Sequence, residues 1–249
     1  MTDSEGSEKK GYRVSFIMPA YNEEGNIREA VKSAKNALDE LTDDYEIIVV
    51  NDGSTDATGR TLDEMRAEIP QLQAIHHPAN RGYGAALRTG FLAAKFPLVF
   101  YTDSDNQFDI NELRLLLPLS EKYHIVTGCR INRKDSFTRL LFSRGFNLLV
   151  RLIFHTPVRD VDCSFKLFRR EVFDAIKIES DNFFVDAEIL AKAVASGFSI
   201  YEIEVKHLPR HAGHTTVSLR AIPRTLRELL RIRRSIRIAR KSDNSILAP

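Results

Sequence analysis

The sequence predicts an α/β fold with a mostly parallel sheet flanked by helices. Short apolar stretches alternate with helical stretches through the first half of the chain, and this alternation is typical of parallel sheets. Polar clusters follow three of the predicted strands, which is where such sheets bind ligands. With 249 residues and ordinary hydrophobic and charged fractions, the chain is long enough to bury one large core.

Strand-and-helix units repeat through the first hundred residues. Apolar, β-rich stretches predict strands at residues 13–18, 46–50, 72–76 and 98–101. Helical spacing and acidic or capping residues in first turns predict helices at residues 22–41, 56–68 and 84–94. Each strand is thus followed by a polar turn and, for the first three, a helix.

The second half has a less regular pattern. We predict a strand at 125–128, an amphipathic stretch at 137–154, a short strand around 165–168 and a helix at 186–196. A basic amphipathic helix is predicted from Ala221 to Lys241. The expected organisation is a flexible tail at 1–11, one domain at 12–219, the basic helix at 220–241 and a second tail at 242–249.

Charge and cysteine usage indicate the compartment. The net charge of +2 hides an asymmetry, because Arg and Lys crowd the last fifth of the chain. Cys129 and Cys163 form no CxxC pair, which suits structural thiols in a reducing cytosol. Residues 1–11 lack the apolar core of a signal peptide. No apolar stretch approaches the ~20 residues of a membrane span, so we expect any membrane contact to be peripheral.

Two carboxylates, Asp103 and Asp105, follow the strand at 98–101 with one residue between them. A divalent cation that holds a diphosphate needs hard oxygen ligands close together, and this spacing supplies them. The motif is short, and two solvated loop acids are an equally good interpretation when it stands alone.

Polar clusters also follow the first two strands, at residues 19–23 (PAYNE) and 51–56 (NDGSTD). Carboxyl ends of parallel strands meet at one edge of a sheet, so we expect the three clusters to converge. Asn22, Asp52, Ser54 and Asp56 are also good helix caps and turn formers. Capping and binding are compatible, and the convergence favours a binding site.

Five motifs then carry a specific resemblance: PAYNEE, VNDGSTDAT, NRGYGAALRTGF, TDSDNQ and DCSFKLFRR. In this order and spacing they resemble the dolichyl-phosphate and polyprenyl-phosphate sugar synthases, which are inverting glycosyltransferases with the Rossmann-like GT-A fold. The resemblance extends from Arg13 to Ser218. It implies transfer of a mannose- or glucose-type sugar from a GDP- or UDP-linked donor to a polyprenyl or dolichyl phosphate. It also implies Mg²⁺ or Mn²⁺ as cofactor and a place in cell-envelope or glycan biosynthesis.

The resemblance implies a donor site at the strand ends. Four residues line the pocket for the nucleotide base and ribose: Pro19, Tyr21, Glu23 and Asp52. Three more hold the metal and the donor diphosphate: Asp103, Asp105 and Gln107. Gly82 opens a helix beside the donor, where backbone N–H groups can face an anion. Asn51 stands where the family's DDGS pattern has an acid, which leaves the nucleotide base open.

A phosphate acceptor is already an anion, so it needs positioning and charge neutralisation rather than a general base. The resemblance places the phosphate-handling residues at Arg130, Arg139, Ser143 and Arg210, with an RxxxS pattern from Arg139 to Ser143. A second signature runs from Asp160 to Lys166, with Lys166 assigned to the nucleotide sugar and Ser164 in place of the usual glycine. His211 and His214 are expected to flank the acceptor channel.

Together these features predict an inverting transfer without a covalent enzyme intermediate. Residues 137–154 and 220–241 combine apolar and basic residues, which predicts contact with an anionic membrane surface. A separate membrane subunit is a further expected partner, and the expected location is the cytoplasmic face of a membrane. For residues 137–154, a core-facing helix with a solvated basic face is an equal alternative.

Other functions remain open: transfer to a hydroxyl with Asp186 or Glu188 as base, nucleotidyl transfer, and a non-catalytic nucleotide-binding or scaffold domain. Three classes of site are disfavoured. NRGYGA lacks the third glycine of a dinucleotide site, the histidines from His207 to His214 fit no common zinc spacing, and no aromatic platform supports nucleic-acid binding. Without tryptophan, the chain also lacks the QxxRW signature of processive polysaccharide synthases.

Overall fold

The structure is a computed structural model that describes residues 11–131, 137–208 and 222–246. Side chains are described for residues 11–131, 140–208 and 225–238. The strands in these ranges are β1 (Arg13–Ala20), β2 (Asp44–Asn51), β3 (Leu72–His76), β4 (Leu98–Tyr101), β5 (Ile125–Ile131), β6 (Lys166–Arg169) and β7 (Ile200–Lys206). They form one seven-stranded sheet in the order β3-β2-β1-β4-β6-β5-β7.

The helices flank this sheet. They are α1 (Ile27–Leu41), α2 (Thr58–Glu68), α3 (Tyr83–Ala93), α4 (Leu113–Leu116), α5 (Phe137–Phe154), α6 (Glu171–Ala175), α7 (Val185–Ala195) and α8 (Ile222–Ile246). Short 3₁₀ turns lie at Ile110–Glu112 and Pro118–Glu121. No helix in the described ranges is both long enough and apolar enough to cross a bilayer.

The sheet is mostly parallel, as the sequence predicts. Within the described residues, β6 is the strand that runs antiparallel to both of its neighbours, β4 and β5. The pairs β1–β2, β1–β4, β2–β3 and β5–β7 are parallel. The carboxyl ends of β1, β2 and β4 therefore lie at one edge, with Ala20 paired to Asn51.

Two apolar layers cover the faces of the sheet because side chains alternate along each strand. On β1, Phe16 packs into the layer that contains α1 and α2. Ile17 packs into the opposite layer, which contains α3, α7 and residues of α5 and α8. Both residues are fully buried, and each such side chain contributes roughly 1.5–3 kcal/mol of transfer free energy.

Some boundaries and elements differ from the prediction. The predicted start of α1 at Asn22 is wrong, because Asn22 adopts a left-handed backbone (φ 55°) and the helix begins at Ile27. β7 was not predicted, although it pairs with β5 along its whole length. Its alternating exposure and charged residues produce no continuous apolar run, which is the signal that marked the other strands.

Candidate active site

The polar clusters after β1, β2 and β4 lie against one another, as predicted. The Asn22 N–H donates to Ser54 Oγ at 2.9 Å, and the Thr55 N–H donates to Asn22 Oδ1 at 2.8 Å. The third cluster joins them through Ser104, whose hydroxyl donates to the Pro19 carbonyl at 3.0 Å. The three strand ends therefore form one continuous edge.

Asp103 lies directly after β4, and protein hydroxyl groups bind both of its carboxylate oxygens. Tyr83 OH donates to Oδ1 at 2.9 Å, and Ser164 Oγ donates to Oδ2 at 2.6 Å. Burial, and next the negative charge of the buried Asp105, raise the pKa of Asp103 to about 6. The two carboxylates thus repel each other, and a divalent cation would relieve this repulsion.

The oxygen atoms of Asp103, Asp105 and Gln107 fit Mg²⁺ or Mn²⁺ by their chemistry. Gln107 Nε2 donates to the Leu208 carbonyl at 3.2 Å, which makes Oε1 the amide atom suited to a cation. Among the described residues, no three His, Cys, Asp or Glu side chains are grouped to hold a metal on their own. A cation here would need phosphate oxygens and water as further ligands, which is common for Mg²⁺.

Asp52 is buried at the end of β2, and its carboxylate binds the segment that leads into α3. Its oxygens accept the backbone N–H groups of Arg81 at 2.9 Å and Gly82 at 2.8 Å. His77 Nδ1 lies 2.6 Å from Oδ1. These partners give Asp52 a structural role in addition to the ribose and base contact that the sequence predicts.

Gly82 and Tyr83 connect the two acids, because the first contacts Asp52 and the second contacts Asp103. Gly82 has φ 99°, and a Cβ there would lie 2.2 Å from the Asp181 carbonyl oxygen. Only glycine combines this backbone with this close approach. The start of α3 is therefore packed tightly against the segment that contains Asp181.

Arg130 forms a bidentate ion pair with Asp160. Its Nε lies 2.7 Å from Oδ2 and its Nη2 lies 2.7 Å from Oδ1. The two side chains are only 9% and 6% exposed, and such forked pairs are strong and geometrically specific. An acceptor phosphate would therefore have to share this guanidinium with Asp160.

Lys166 is 1% exposed in β6 and binds protein groups. Its Nζ donates to Asp186 Oδ1 at 2.6 Å, to Tyr101 OH at 3.0 Å and to the Cys163 carbonyl. Tyr101 OH also donates to Asp186. A buried ammonium needs such partners, and the predicted contact between Lys166 and a nucleotide sugar gains no support from this geometry.

Glu188, the other candidate base, is buried at 1% exposure in α7. Its carboxylate accepts the backbone N–H groups of Glu179 at 3.0 Å and Ser180 at 2.7 Å. Lys192 Nζ donates to the same carboxylate at 2.7 Å. Glu188 therefore holds the segment before α7 in place.

Of the remaining predicted site residues, some lie among the described residues and others lie outside them. Tyr21 is 47% exposed beside the strand ends, and the Glu23 carboxylate accepts from Asn26 Nδ2 at 2.7 Å. Ser143 lies in α5, together with the backbone of Arg139. Four predicted features fall outside the described residues: the side chain of Arg139, Arg210, His211 and His214.

Sequence reasoning missed four residues, of which Tyr83 and Ser164 contact Asp103 and Phe183 packs on Tyr83. It assigned no role to the hydroxyls of Tyr83 and Ser164, and it overlooked Phe183, which is 75% exposed and stacks on Tyr83 with ring centroids 5.3 Å apart. It also overlooked Asp162, whose pKa burial and then the charge of Asp186 raise to about 7. Tyr83 lies inside the NRGYGA motif, which was the available signal.

Comparison with known proteins identifies the family. The family described as "Glycosyl transferase family 2" matches residues 15–177. The chain is 34% identical over 221 residues to glycosyltransferase AglD of Haloferax volcanii, covering 84% of this chain and 35% of that protein. It is 31% identical over 222 residues to the undecaprenyl-phosphate 4-deoxy-4-formamido-L-arabinose transferase of Proteus mirabilis, covering 88% and 67%.

A third relative, dolichyl-phosphate beta-glucosyltransferase ALG5D of Trichomonas vaginalis, is 32% identical over 215 residues, covering 78% of this chain and 65% of that protein. The chain therefore spans between 35% and 67% of the length of these relatives. Among solved structures, glucosyl-3-phosphoglycerate synthase from Mycobacterium tuberculosis with Mn²⁺, UDP and glucosyl-3-phosphoglycerate matches with TM-score 0.67 and 20% identity. That match covers 92% of this chain and 81% of the other, and it confirms the GT-A fold.

Proposed function

Because the chain belongs to glycosyl transferase family 2, we propose that it moves a mannose- or glucose-type sugar from a GDP- or UDP-linked donor to a polyprenyl or dolichyl phosphate. The observation that carries the proposal is the Asp103–Asp105 pair, which lies where three strand ends meet. Relatives named for undecaprenyl phosphate and dolichyl phosphate support the acceptor.

In this proposal, Asp103, Asp105 and Gln107 hold Mg²⁺ or Mn²⁺ beside the donor diphosphate. When bound, the cation supplies positive charge that stabilises the diphosphate as it leaves. The fold relative with Mn²⁺ and UDP supports this pairing of metal and nucleotide. Four other residues complete the donor site: Pro19, Tyr21, Glu23 and Gly82. Asp52 contributes by holding Gly82 at the start of α3.

The transfer is a single displacement. An acceptor phosphate oxygen bonds to the anomeric carbon while the bond from that carbon to the diphosphate breaks, and the electron pair leaves with the diphosphate. The phosphate is already anionic, so no general base has to remove a proton. Asp186 and Glu188 are both ion-paired with buried lysines, which disfavours the alternative with a hydroxyl acceptor.

Arginine side chains and one serine hydroxyl position the acceptor phosphate in this proposal. Arg139, Ser143 and Arg210 receive it by the family resemblance. Arg130 holds the segment from Asp160 to Lys166 through its ion pair, and it contributes charge from that fixed position.

The outer faces of α5 and α8 support contact with an anionic membrane surface. On α5, Leu141, Leu148 and Leu152 are 59%, 55% and 66% exposed, and Arg144 and Arg151 are exposed on the same side. Among the side chains of α8 that the structure describes, Leu226, Leu230 and Ile238 are large, apolar and exposed. The opposite face of α5 buries residues such as Val150 in the core. The membrane-contact and core-facing interpretations of this helix therefore each describe one of its faces. We propose docking at the cytoplasmic face, directly or beside a membrane subunit.

The test is a turnover assay with the purified chain. GDP- and UDP-sugars are supplied with either undecaprenyl or dolichyl phosphate in detergent micelles, or with soluble sugar acceptors, and release of nucleoside diphosphate is measured. We expect release only with a lipid phosphate, with loss in EDTA and recovery on adding Mn²⁺. Release with soluble sugars alone would contradict the acceptor, and release of pyrophosphate would indicate nucleotidyl transfer.

A further inference from the structure

Both carboxylate oxygens of Asp103 accept a hydroxyl hydrogen bond, and the two hydroxyls come from separate parts of the chain. Tyr83 is the first residue of α3, and Ser164 lies just before β6. Their oxygens lie 2.9 Å from Oδ1 and 2.6 Å from Oδ2. A carboxylate oxygen can accept about two hydrogen bonds or ligands. Each oxygen therefore keeps the capacity to bind a cation while its position is fixed.

The phenol of Tyr83 is held in place by its surroundings. The ring stacks on Phe183 at 5.3 Å with an angle of 24° between the planes. The next residue, Gly84, donates its N–H to the Asp181 carbonyl at 3.0 Å, and a Cβ on it would lie 2.3 Å from the Ser180 carbonyl oxygen. The backbone of α3 therefore cannot move away from residues 180–183 without breaking these contacts.

The hydroxyl of Ser164 is equally constrained. Ser164 is 4% exposed, and its neighbours on both sides are tied to β5. The following residue, Phe165, accepts the Gly128 N–H at 2.8 Å. Four residues earlier, Asp160 forms the bidentate pair with Arg130. The serine hydroxyl is therefore presented to Asp103 by a rigid segment.

We infer that Tyr83 and Ser164 are positioning residues that orient the Asp103 carboxylate for the divalent cation, an inference that rests on the proposed function. Partners that hydrogen-bond to metal ligands commonly contribute roughly 10- to 100-fold to metal affinity or activity. The resembled family usually has glycine at the position of Ser164, and glycine has no hydroxyl. The Ser164 contact is thus a feature of this chain that its family motif does not include.

The test is Mn²⁺ binding by electron paramagnetic resonance, alone and with UDP or GDP, in the absence of sugar donor and lipid. Tyr83→Phe and Ser164→Ala should each weaken Mn²⁺ binding by about 10-fold, and the double variant by more. Ser164→Thr keeps a hydroxyl and should bind within about 3-fold of the unmodified chain. In turnover, the single variants should need more Mn²⁺ for half-maximal rate while kcat at saturating Mn²⁺ stays close to normal.

Matched controls are available at the opposite edge of the sheet. Tyr12 OH donates to Glu121 Oε1 at 2.9 Å, and Ser15 Oγ donates to Glu46 Oε1 at 2.7 Å. Tyr12→Phe and Ser15→Ala each remove a hydroxyl–carboxylate hydrogen bond of the same kind. They should lower the unfolding temperature without changing Mn²⁺ affinity, which separates positioning of the ligand from general stability.

The outcomes separate this inference from the proposed function. Normal Mn²⁺ affinity in Tyr83→Phe and Ser164→Ala, together with metal-dependent turnover by the unmodified chain, would overturn the inference alone. Absence of Mn²⁺ binding by the unmodified chain, with and without UDP or GDP, would overturn both. Weakened binding in both variants supports the inference even if polyprenyl phosphate is not the acceptor.

Discussion

Two aspartates, the buried Asp52 and the half-buried Asp103, follow the strands on either side of β1, and their partners differ in kind. Asp52, after β2, accepts two backbone N–H groups and lies against His77. Asp103, after β4, accepts two side-chain hydroxyls and lies near a second carboxylate. Backbone donors fix a loop, whereas hydroxyl donors orient a carboxylate that still has lone pairs for a ligand.

Because their partners differ, we expect these similar strand-end acids to differ in function. The Asp52 carboxylate binds the segment before α3, so replacing Asp52 should affect stability most. Asp103 and Asp105 repel each other in the absence of a cation, so their removal should affect binding most.

Replacing Asp103 or Asp105 should greatly reduce turnover while the fold persists. Asp103→Asn and Asp105→Asn should each lower kcat/KM by roughly 10³-fold, because the leaving diphosphate loses its positive counterpart. Sugar transfer to polyprenyl phosphate is the measurement, with circular dichroism to verify the fold. Glu40→Gln, an exposed change on α1, is the control and should retain activity. Full activity in Asp105→Asn would contradict the metal assignment.

Replacing the acid of the first region should destabilise the chain. Asp52→Asn should lower the free energy of unfolding by about 2–4 kcal/mol, because an amide group cannot accept all of these buried hydrogen bonds. Urea unfolding measures the loss. Mn²⁺ affinity should change by less than about 3-fold, because the hydrogen bonds of Asp52 go to Arg81, Gly82 and His77 and not to a proposed metal ligand. Residues that do hydrogen-bond to metal ligands commonly change affinity by roughly 10- to 100-fold. Unchanged stability combined with lost Mn²⁺ affinity would reverse the roles of Asp52 and Asp103.

Gly82 connects the two regions, and a side chain there should disturb both. Gly82→Ala should lower the free energy of unfolding by about 1–3 kcal/mol, because it adds backbone strain and a clash with the Asp181 carbonyl. Gly197→Ala is the control for backbone strain alone, because Gly197 has φ 82° and a Cβ there would meet no atom within 4 Å. Gly25→Ala is the control without strain or clash, because a Cβ there also meets no atom and the backbone lies outside the left-handed region. Equal losses of stability in all three variants would show that the clash with the Asp181 carbonyl does not contribute.

The smallest effect concerns pH. The folded-state pKa of Asp162 is raised to about 7, mainly by burial and next by Asp186, above its ordinary value of about 4. Its stabilising contribution is therefore present below pH ~4 and lost as pH rises through 7. Asp162→Asn should unfold at a higher temperature than the unmodified chain at pH 8, with the difference vanishing near pH 4. Because Asp162 is half-buried, solvent partly screens its charge, and a shift of only a few degrees is expected. A pH-independent difference would contradict the assignment.

The meeting of the three strand ends could be predicted from the sequence because its signals are local. Apolar runs mark β1, β2 and β4, and the polar residues that follow them must converge when the strands are parallel. The start of α1 was wrong because Asn22 binds the neighbouring Thr55 instead of beginning a helix. That contact joins residues 33 positions apart, and local propensity does not report it.

The acidic partners of Arg130 and Lys166 could not be predicted from the sequence in the same way. Arg130 and Asp160 are 30 residues apart, and Lys166 and Asp186 are 20 apart. Their pairing depends on β6 running antiparallel between β4 and β5, which no periodicity indicates. Burial of these charges therefore follows from sheet topology. The sequence motifs alone overstate how far the side chains of Arg130 and Lys166 are available to a ligand.

Thermal unfolding tests directly the claim that Asp103 and Asp105 bind nucleotide and metal together. A ligand that binds only the folded state raises its stability, by about 2.7 kcal/mol at 100 times Kd. We predict that GDP or UDP with Mn²⁺ raises the unfolding temperature of the unmodified chain, and that EDTA or Asp105→Asn removes the increase. An increase that persists in EDTA and in Asp105→Asn would contradict the claim.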